Sequence, residues 1–452
     1  MTATAPNASI TPEDTARASE EFESCRANRL ARNAVSSMGV RQAARNPEAV
    51  ARDTSAFDIQ LEQGEITNQM HSGRCWMFAA LNTMRYRIMK KLDIKTFELS
   101  QAYPLFWDKY ERANWFFENI IATADQPLDS REMCFLLSDP VSDGGQWDMF
   151  ASLVRKYGVC PKEAMPETAC SKNTNELNGY LTRYLRVCAK ELRRAVASGA
   201  GMDELGDMKN EMLDNVYKVL AICLGEPPQS FEVRIRDKDE LKASGTYTPQ
   251  EFFKEFVGMD LDSYISLINA PTAGKPFMRS FTVKYLGNVV EDGGVRYVNL
   301  PIESLKRVAV AQLEDGLPVW FGSDVDQSFL RQDGVLDPEA VQIDELFNLP
   351  IESGLTKGER LEYGESLMTH AMVLEGVNLD AEGEPELWRV ENSWGDDHGK
   401  KGYDVASGRW FDEYVYQVVV DKKYLTEEEL AAYEGEPIEL APWDPMGSLA
   451  RC

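Results

Sequence analysis

A cysteine attacks a carbonyl only as its thiolate, so a nucleophilic cysteine needs surroundings that lower its pKa. Cys75 sits in the stretch NQMHSGRCWMFAALNTMR, residues 68–85, where a glycine-bearing loop gives way to a helical pattern. Ser72 and Gly73 read as the turn into that helix, which aims the positive end of the helix dipole at the sulfur, and Arg74 is a cationic neighbour. Gln69 lies on the same loop and is placed to donate a side-chain N–H to a developing oxyanion, together with the backbone N–H of Cys75. The competing reading is a small buried hydrophobe on an ordinary amphipathic helix.

A base has to come from one of three histidines. His71 shares the loop with Cys75 and is too near along the chain to be relied on to turn towards the sulfur. His398 lies among DDHGKK, which reads as a solvated surface loop. His370 is different, because it opens a strand, HAMVLEGV, while Asn392 closes another in ENSWG. Neighbouring strands would present imidazole and carboxamide side by side, the amide holding the ring in the tautomer that faces the thiol. Trp394 would cover that hydrogen bond from water. The chemistry such a set supports is acyl transfer through a covalent thioester.

The elements that must position these groups divide the chain into a helical first half and a strand-rich last third. Thr11, Pro12, Glu13 and Asp14 start a long charged helix towards Met38, an arm laid on the body. Residues 75–91 are expected to be helical, as is the stretch QAYPLFWDKYERANWFFENII after a Ser100 cap. From 172 to 224 a pair of helices broken by SGAG reads as an insertion. TPQEFF carries a capping box at Thr248 and Glu251, and NVVEDGGVRYVNL reads as a hairpin about Gly293 and Gly294. The segments at 317–325, 370–379, 386–394 and 413–421 read as strands, so helices precede sheet in an α+β arrangement. The tail EPIELAPWDPMGSLARC, with three prolines, should run extended.

Taken together, Q-x-x-S-G-R-C-W at Gln69 to Trp76, the strand-borne His370 and NSWG at Asn392 to Gly395 resemble the papain-type cysteine peptidases, and most closely their bleomycin hydrolase and aminopeptidase C branch. The likeness extends to DGGQWDM (143–149), KYGVCPKEAMPE (156–167), GYDVASGRWFDEYVYQVVVDKKYL (402–425) and APWDPMG (441–447), and so covers almost the whole chain. The resemblance implies a papain-like fold, a helical half plus a β-barrel-like half, with a large helical insertion and a C-terminal arm. The expected organisation is an N-terminal helical arm (1–50), a helical half with the nucleophile (51–170), a helical insertion and hairpin for oligomerisation (171–300), a β-rich half with His370 and Asn392 (301–425), and a helix and arm entering the cleft (426–452).

The resemblance also implies roles: Cys75 the nucleophile, His370 general base and then acid, Asn392 its orienter and Gln69 an oxyanion donor. Gly144 and Gly145 would be the backbone edge that receives the substrate's extended chain, and Trp394 and Ala450 would line the substrate site. In the family the arm's carboxylate meets the substrate's α-amine, which makes an aminopeptidase of a cleft that would otherwise cut within chains, and six copies form a barrel. The expected activity is removal of N-terminal residues from short peptides with a free N-terminus by a homohexamer. No metal and no organic cofactor are expected. Arg451 and Cys452 run past the family's usual end, and self-trimming of these two residues is the expectation.

The formal charge of −26 repels phosphate backbones and anionic lipid, so neither nucleic acid nor membrane is expected as a partner. Eight dispersed cysteines with no C-x-x-C spacing suggest reduced thiols, and with no basic start or apolar run at the N-terminus a cytoplasmic location is expected. Two rival readings are a catalytically silent hexameric peptide-binding or chaperone-like shell, and a nucleotide binder suggested by GDDHGKK. The intact Gln69, Cys75, His370 and Asn392 argue against the first; a spacing one short of a P-loop, without Ser or Thr after lysine, argues against the second.

Overall fold

The computed structural model describes residues 9–52, 56–62 and 64–451, with the side chain of Arg451 left undescribed. Of the two residues expected to be self-trimmed, Cys452 lies outside those described and Arg451 is described in its backbone alone. The N-terminal arm is two helices rather than one: α1 (Pro12–Ser24), with Thr11 and Asp14 closing a capping box, and α2 (Arg26–Met38). Cys25 between them is extended, at φ −84° and ψ 117°. Neither helix has a buried residue, so no packing holds the chain helical through the break.

The helical layer centres on α3 (Cys75–Leu92) and α4 (Ala102–Ala122). Ser100 Oγ accepts from the Tyr103 N–H at 3.1 Å at the start of α4, and Pro104 sits in the first turn, where its missing N–H costs no helical bond. α5 (Trp147–Tyr157) follows, and then the antiparallel pair α6 (Asn175–Ala197) and α7 (Met202–Leu224) packs on α4. Strands 231–237 and 240–247 form a separate two-stranded ribbon.

The remaining strands join one twelve-stranded sheet among the described residues. Its members are β1 (Tyr264–Ile268), β2 (Arg279–Val283), β3 (Tyr297–Asn299), β4 (Val319–Ser323), β5 (His370–Leu379), β6 (Pro385–Glu391), β7 (Tyr403–Ser407), β8 (Val415–Asp421) and β9 (Ile438–Leu440), with shorter strands at 59–60, 329–330 and 335–336. The order β9-β2-β3-β1-β8-β4-β5-β6-β7 puts the densest β-branched and aromatic runs, β8, β4 and β5, at the centre. α3 packs on β5, and helix α8 (Ile302–Glu314) packs on β5 and β8.

The expected hairpin about Gly293 and Gly294 does not form. Its first run ends in a 3-10 turn at Val290–Asp292, and β3 pairs with β1 and β2 instead, burying all three of its residues. The tail is extended only at β9; Pro445–Arg451 coils into 3-10 turns that bury Met446 and Leu449.

Candidate active site

Cys75 is the first residue of α3, and its exposure is 2%. The preceding loop is fixed by charge from below. Asp143 accepts the Gly73 N–H at 3.1 Å, the Lys109 ammonium at 2.7 Å and the Asn178 amide at 2.7 Å, and it also bonds the Thr174 hydroxyl. Burial alone would raise this carboxyl, but the Lys109 charge and these hydrogen bonds hold it well below the ordinary carboxylate range. Its backbone carbonyl accepts the Trp76 indole N–H at 2.7 Å, so one residue ties the loop and the first turn of α3 together.

Arg74 does not act as a free cation beside the sulfur. Its guanidinium is fully buried and forked onto Glu167 at 2.9 and 3.0 Å, with further bonds to the Ser171 carbonyl and the Ser72 hydroxyl. Glu167 cancels the charge, so Arg74 adds little to what the helix N-terminus does to favour a thiolate at position 75.

Gln69 is buried across from the strands. Its backbone N–H donates to the Ser393 carbonyl at 2.8 Å, its Oε1 accepts the Ser393 hydroxyl at 2.6 Å, and its Nε2 donates to the Ser72 carbonyl at 2.7 Å. One Nε2 hydrogen is thereby used and the second remains to be aimed elsewhere. This clasp joins the loop before Cys75 to the residue after Asn392.

His370 opens β5 opposite Ser323 of β4, and Asn392 follows the end of β6. The Nε2 of His370 meets Asn392 Oδ1 at 2.9 Å, both side chains being buried. Trp394 lies over the imidazole with ring centroids 4.6 Å apart, and the exposed Arg331 covers the indole at 4.5 Å. Burial pushes the imidazole down to about 4, opposed by the Asn392 hydrogen bond and by the charges of Asp326 and Asp404, and assisted by Arg331. A ring so placed is neutral unless an anion such as a thiolate pairs with it.

The Gly144–Gly145 edge lies against Trp76, the residue after Cys75, and Ala450 lies beside that edge. The Gly144 carbonyl accepts from Arg112, and a Cβ at Gly145 would lie 2.5 Å from the Trp76 ring, so the indole demands glycine there whatever the substrate. Ala450 is buried, and its carbonyl accepts the Ser142 hydroxyl next to this edge. His71 is exposed, its backbone bonded to Lys172. His398, expected in solvent, is 5% exposed: it tucks under Trp394 and towards Asp404 Oδ1, 3.6 Å from its Nε2.

Sequence reasoning missed three supports: Asp143 as the clamp of the loop, Ser393 as the partner of Gln69, and Asp404, which accepts the Asn392 amide N–H at 3.0 Å. Ser393 lies within the NSWG stretch and was open to reading as more than a spacer. The other two act across distant segments and carry no local signal.

The chain matches the model of the Peptidase C1-like family over residues 9–447. It is 51% identical to aminopeptidase C of Streptococcus thermophilus over 92% of this chain and 94% of that protein. Against bleomycin hydrolase of Gallus gallus the identity is 43%, over 87% of this chain and 88% of that one. The crystal structure of PepW from Lactobacillus rhamnosis HN001 superposes with a TM-score of 0.95 at 50% identity, over 98% of this chain and 99% of that one.

Proposed function

From a chain that belongs to the Peptidase C1-like family, with the α+β papain-like fold and the activity of a cysteine aminopeptidase, we infer that Cys75, His370, Asn392 and Gln69 carry the reaction. The observation that carries this reading is the hydrogen-bonded run from the Cys75 loop through Gln69 and Ser393 to Asn392 and His370. The Cys75 thiolate adds to the carbonyl of the first peptide bond, and the oxyanion is held by the Cys75 N–H and the second Gln69 Nε2 hydrogen. The His370 imidazolium gives its proton to the leaving amine, so the shortened peptide departs and a thioester remains. Water, deprotonated by the now neutral His370, attacks the thioester; its collapse releases the N-terminal amino acid and returns the proton to the sulfur pair.

Selection of a free N-terminus falls to the arm. In this reading the arm limits how much substrate fits before the scissile bond, and the bond from the Ser142 hydroxyl to the Ala450 carbonyl, beside Gly144 and Gly145, supports it. Short peptides are the substrates of this reading, with Trp394 shielding the imidazole. The same reading keeps residues 171–300 for association into a homohexamer and 426–452 for the arm, and puts the protein in the cytoplasm. No described helix is long and apolar enough to cross a membrane. The silent-shell alternative finds no support, since the similar proteins carry the names of peptidases. Aminoacyl reporter substrates with free and N-acetylated ends test the inference. Turnover of the free form alone, abolished when an epoxide thiol reagent labels Cys75 one to one, is the expected result. Cleavage of the acetylated form at an equal rate, or labelling elsewhere with loss of activity, overturns it.

A further inference from the structure

Behind the His370–Asn392 bond lies a buried carboxylate that the reaction above does not use. The Asn392 Oδ1 accepts the Ser393 N–H at 2.8 Å and meets His370 Nε2 at 2.9 Å, while its Nδ2 donates to Asp404 Oδ2 at 3.0 Å. A carboxamide turned by half a revolution would offer its NH₂ to the ring instead. An ionised carboxylate only accepts, so Asp404 obliges the NH₂ to face it and the oxygen to face His370.

The backbone delivers this carboxylate deliberately. Asp404 lies on β7 opposite Val390 of β6, so the ladder sets it beside the strand end from which Asn392 projects. It is fully inaccessible. Its Oδ1 has no hydrogen bond among the described residues, and Gly334 and Gly399 crowd it so closely that a Cβ on either would lie 3.1 Å away. The His398 ring faces that oxygen at 3.6 Å, with neither nitrogen hydrogen-bonded among the described residues. A buried charge so enclosed acts over distance with little screening.

Resting on the assignment of Cys75 and His370 as the reacting pair, we propose that Asp404 is a positioning residue: it locks the Asn392 amide in one orientation and, through that amide, stabilises the His370 imidazolium. The charged groups that share the field at His370 are Asp326 and Arg331, both from the segment after β4, with His398 facing Asp404. The negative charge of Asp404 favours the imidazolium. Removing it therefore lets the imidazolium lose its proton at lower pH, and the basic limb of the kcat/KM profile moves in the acid direction.

The experiment compares wild type with Asp404→Asn, and with Asp404→Leu should the first fail to fold, using an aminoacyl reporter across pH and the pH dependence of Cys75 alkylation by iodoacetamide. The expected loss in kcat is about 10- to 100-fold, the size seen when an outer partner of a functional side chain is removed, with KM changed less than about twofold. The basic limb moves down for both turnover and alkylation. In an Asn392→Ala background the same change at 404 costs much less, because only the direct action of the charge on His370 is left to lose. A folded variant whose basic limb does not move, or one that loses as much again in the Asn392→Ala background, overturns the proposal. Cys75→Ala separates the two readings. Activity retained there removes the underlying assignment, whereas a dead Cys75→Ala beside an unmoved limb at 404 removes this inference alone.

Discussion

The loop that carries Gln69 and Cys75 is held by buried ions, whereas the strands that carry His370 and Asn392 have backbone ladders and stacked rings beside their own buried pairs, Arg85–Glu391 and Arg389–Glu375. Under Cys75 lie Lys109–Asp143, Arg112–Asp108 and Arg74–Glu167, all nearly inaccessible. Around His370 the neighbours are β4 in continuous register from Ser323 to Val319, the Trp394 ring, and a single carboxylate reached through an amide. A loop has no ladder to define it, and its free N–H groups need specific acceptors; a strand comes with its partners built in.

That contrast can be broken in order of effect. Cys75→Ala removes the sulfur without touching either support, and kcat should fall by on the order of 10⁴- to 10⁶-fold with the melting temperature little changed. Asp143→Ala leaves the Lys109 ammonium buried and unpaired, which should cost about 3–5 kcal/mol in a urea melt. Neither Asp326 nor Arg331, whose charges share the field at His370, should approach that figure when removed. Gly145→Ala drives a Cβ towards the Trp76 indole and should cost about 1–3 kcal/mol as overpacking, read by the same melts.

Two smaller effects sharpen the strand side. In Cys75→Ala the thiolate is gone, so the His370 titration followed by NMR should fall towards the value of about 4 that burial imposes, below its position in the wild type. A histidine depressed below its unfolded value of about 6.5 binds fewer protons folded than unfolded, so this group's contribution is whole above that pH and lost as pH falls towards 4. A Cys75→Ala protein whose His370 titrates as in the wild type would mean that the sulfur does not pair with it. Arg331→Ala should matter least, about 0.5–1 kcal/mol for an exposed cation on an indole, and because Arg331 opposes the imidazolium the basic limb should move up slightly.

Much of this arrangement was legible in the chain. The start of α3 at Cys75, the strand opened by His370, the strand that leads to Asn392, which ends one residue short of it, and the capping box at Thr248 all follow from local chemistry. What sequence could not show were partners. Arg74 displays its charge to any reader, but Glu167, which cancels it, lies on another segment. His398 sits among charged residues and is nonetheless covered, because Trp394 and the β7 strand close over it. The runs about Gly293 carry the composition of a hairpin, and distant pairing of β3 with β1 and β2 wins over the local turn.

The Trp320 indole N–H donates to the Trp76 carbonyl at 3.1 Å, and Trp320 pairs across the ladder with Val373, in the strand that His370 begins. A short relay thus runs from the residue after the thiol to the strand bearing the imidazole, crossing the junction of the two layers inside the core. Heat cannot spread the cleft by degrees without first severing that relay, so inactivation and unfolding curves should superimpose, with no warm interval in which an intact but idle enzyme accumulates.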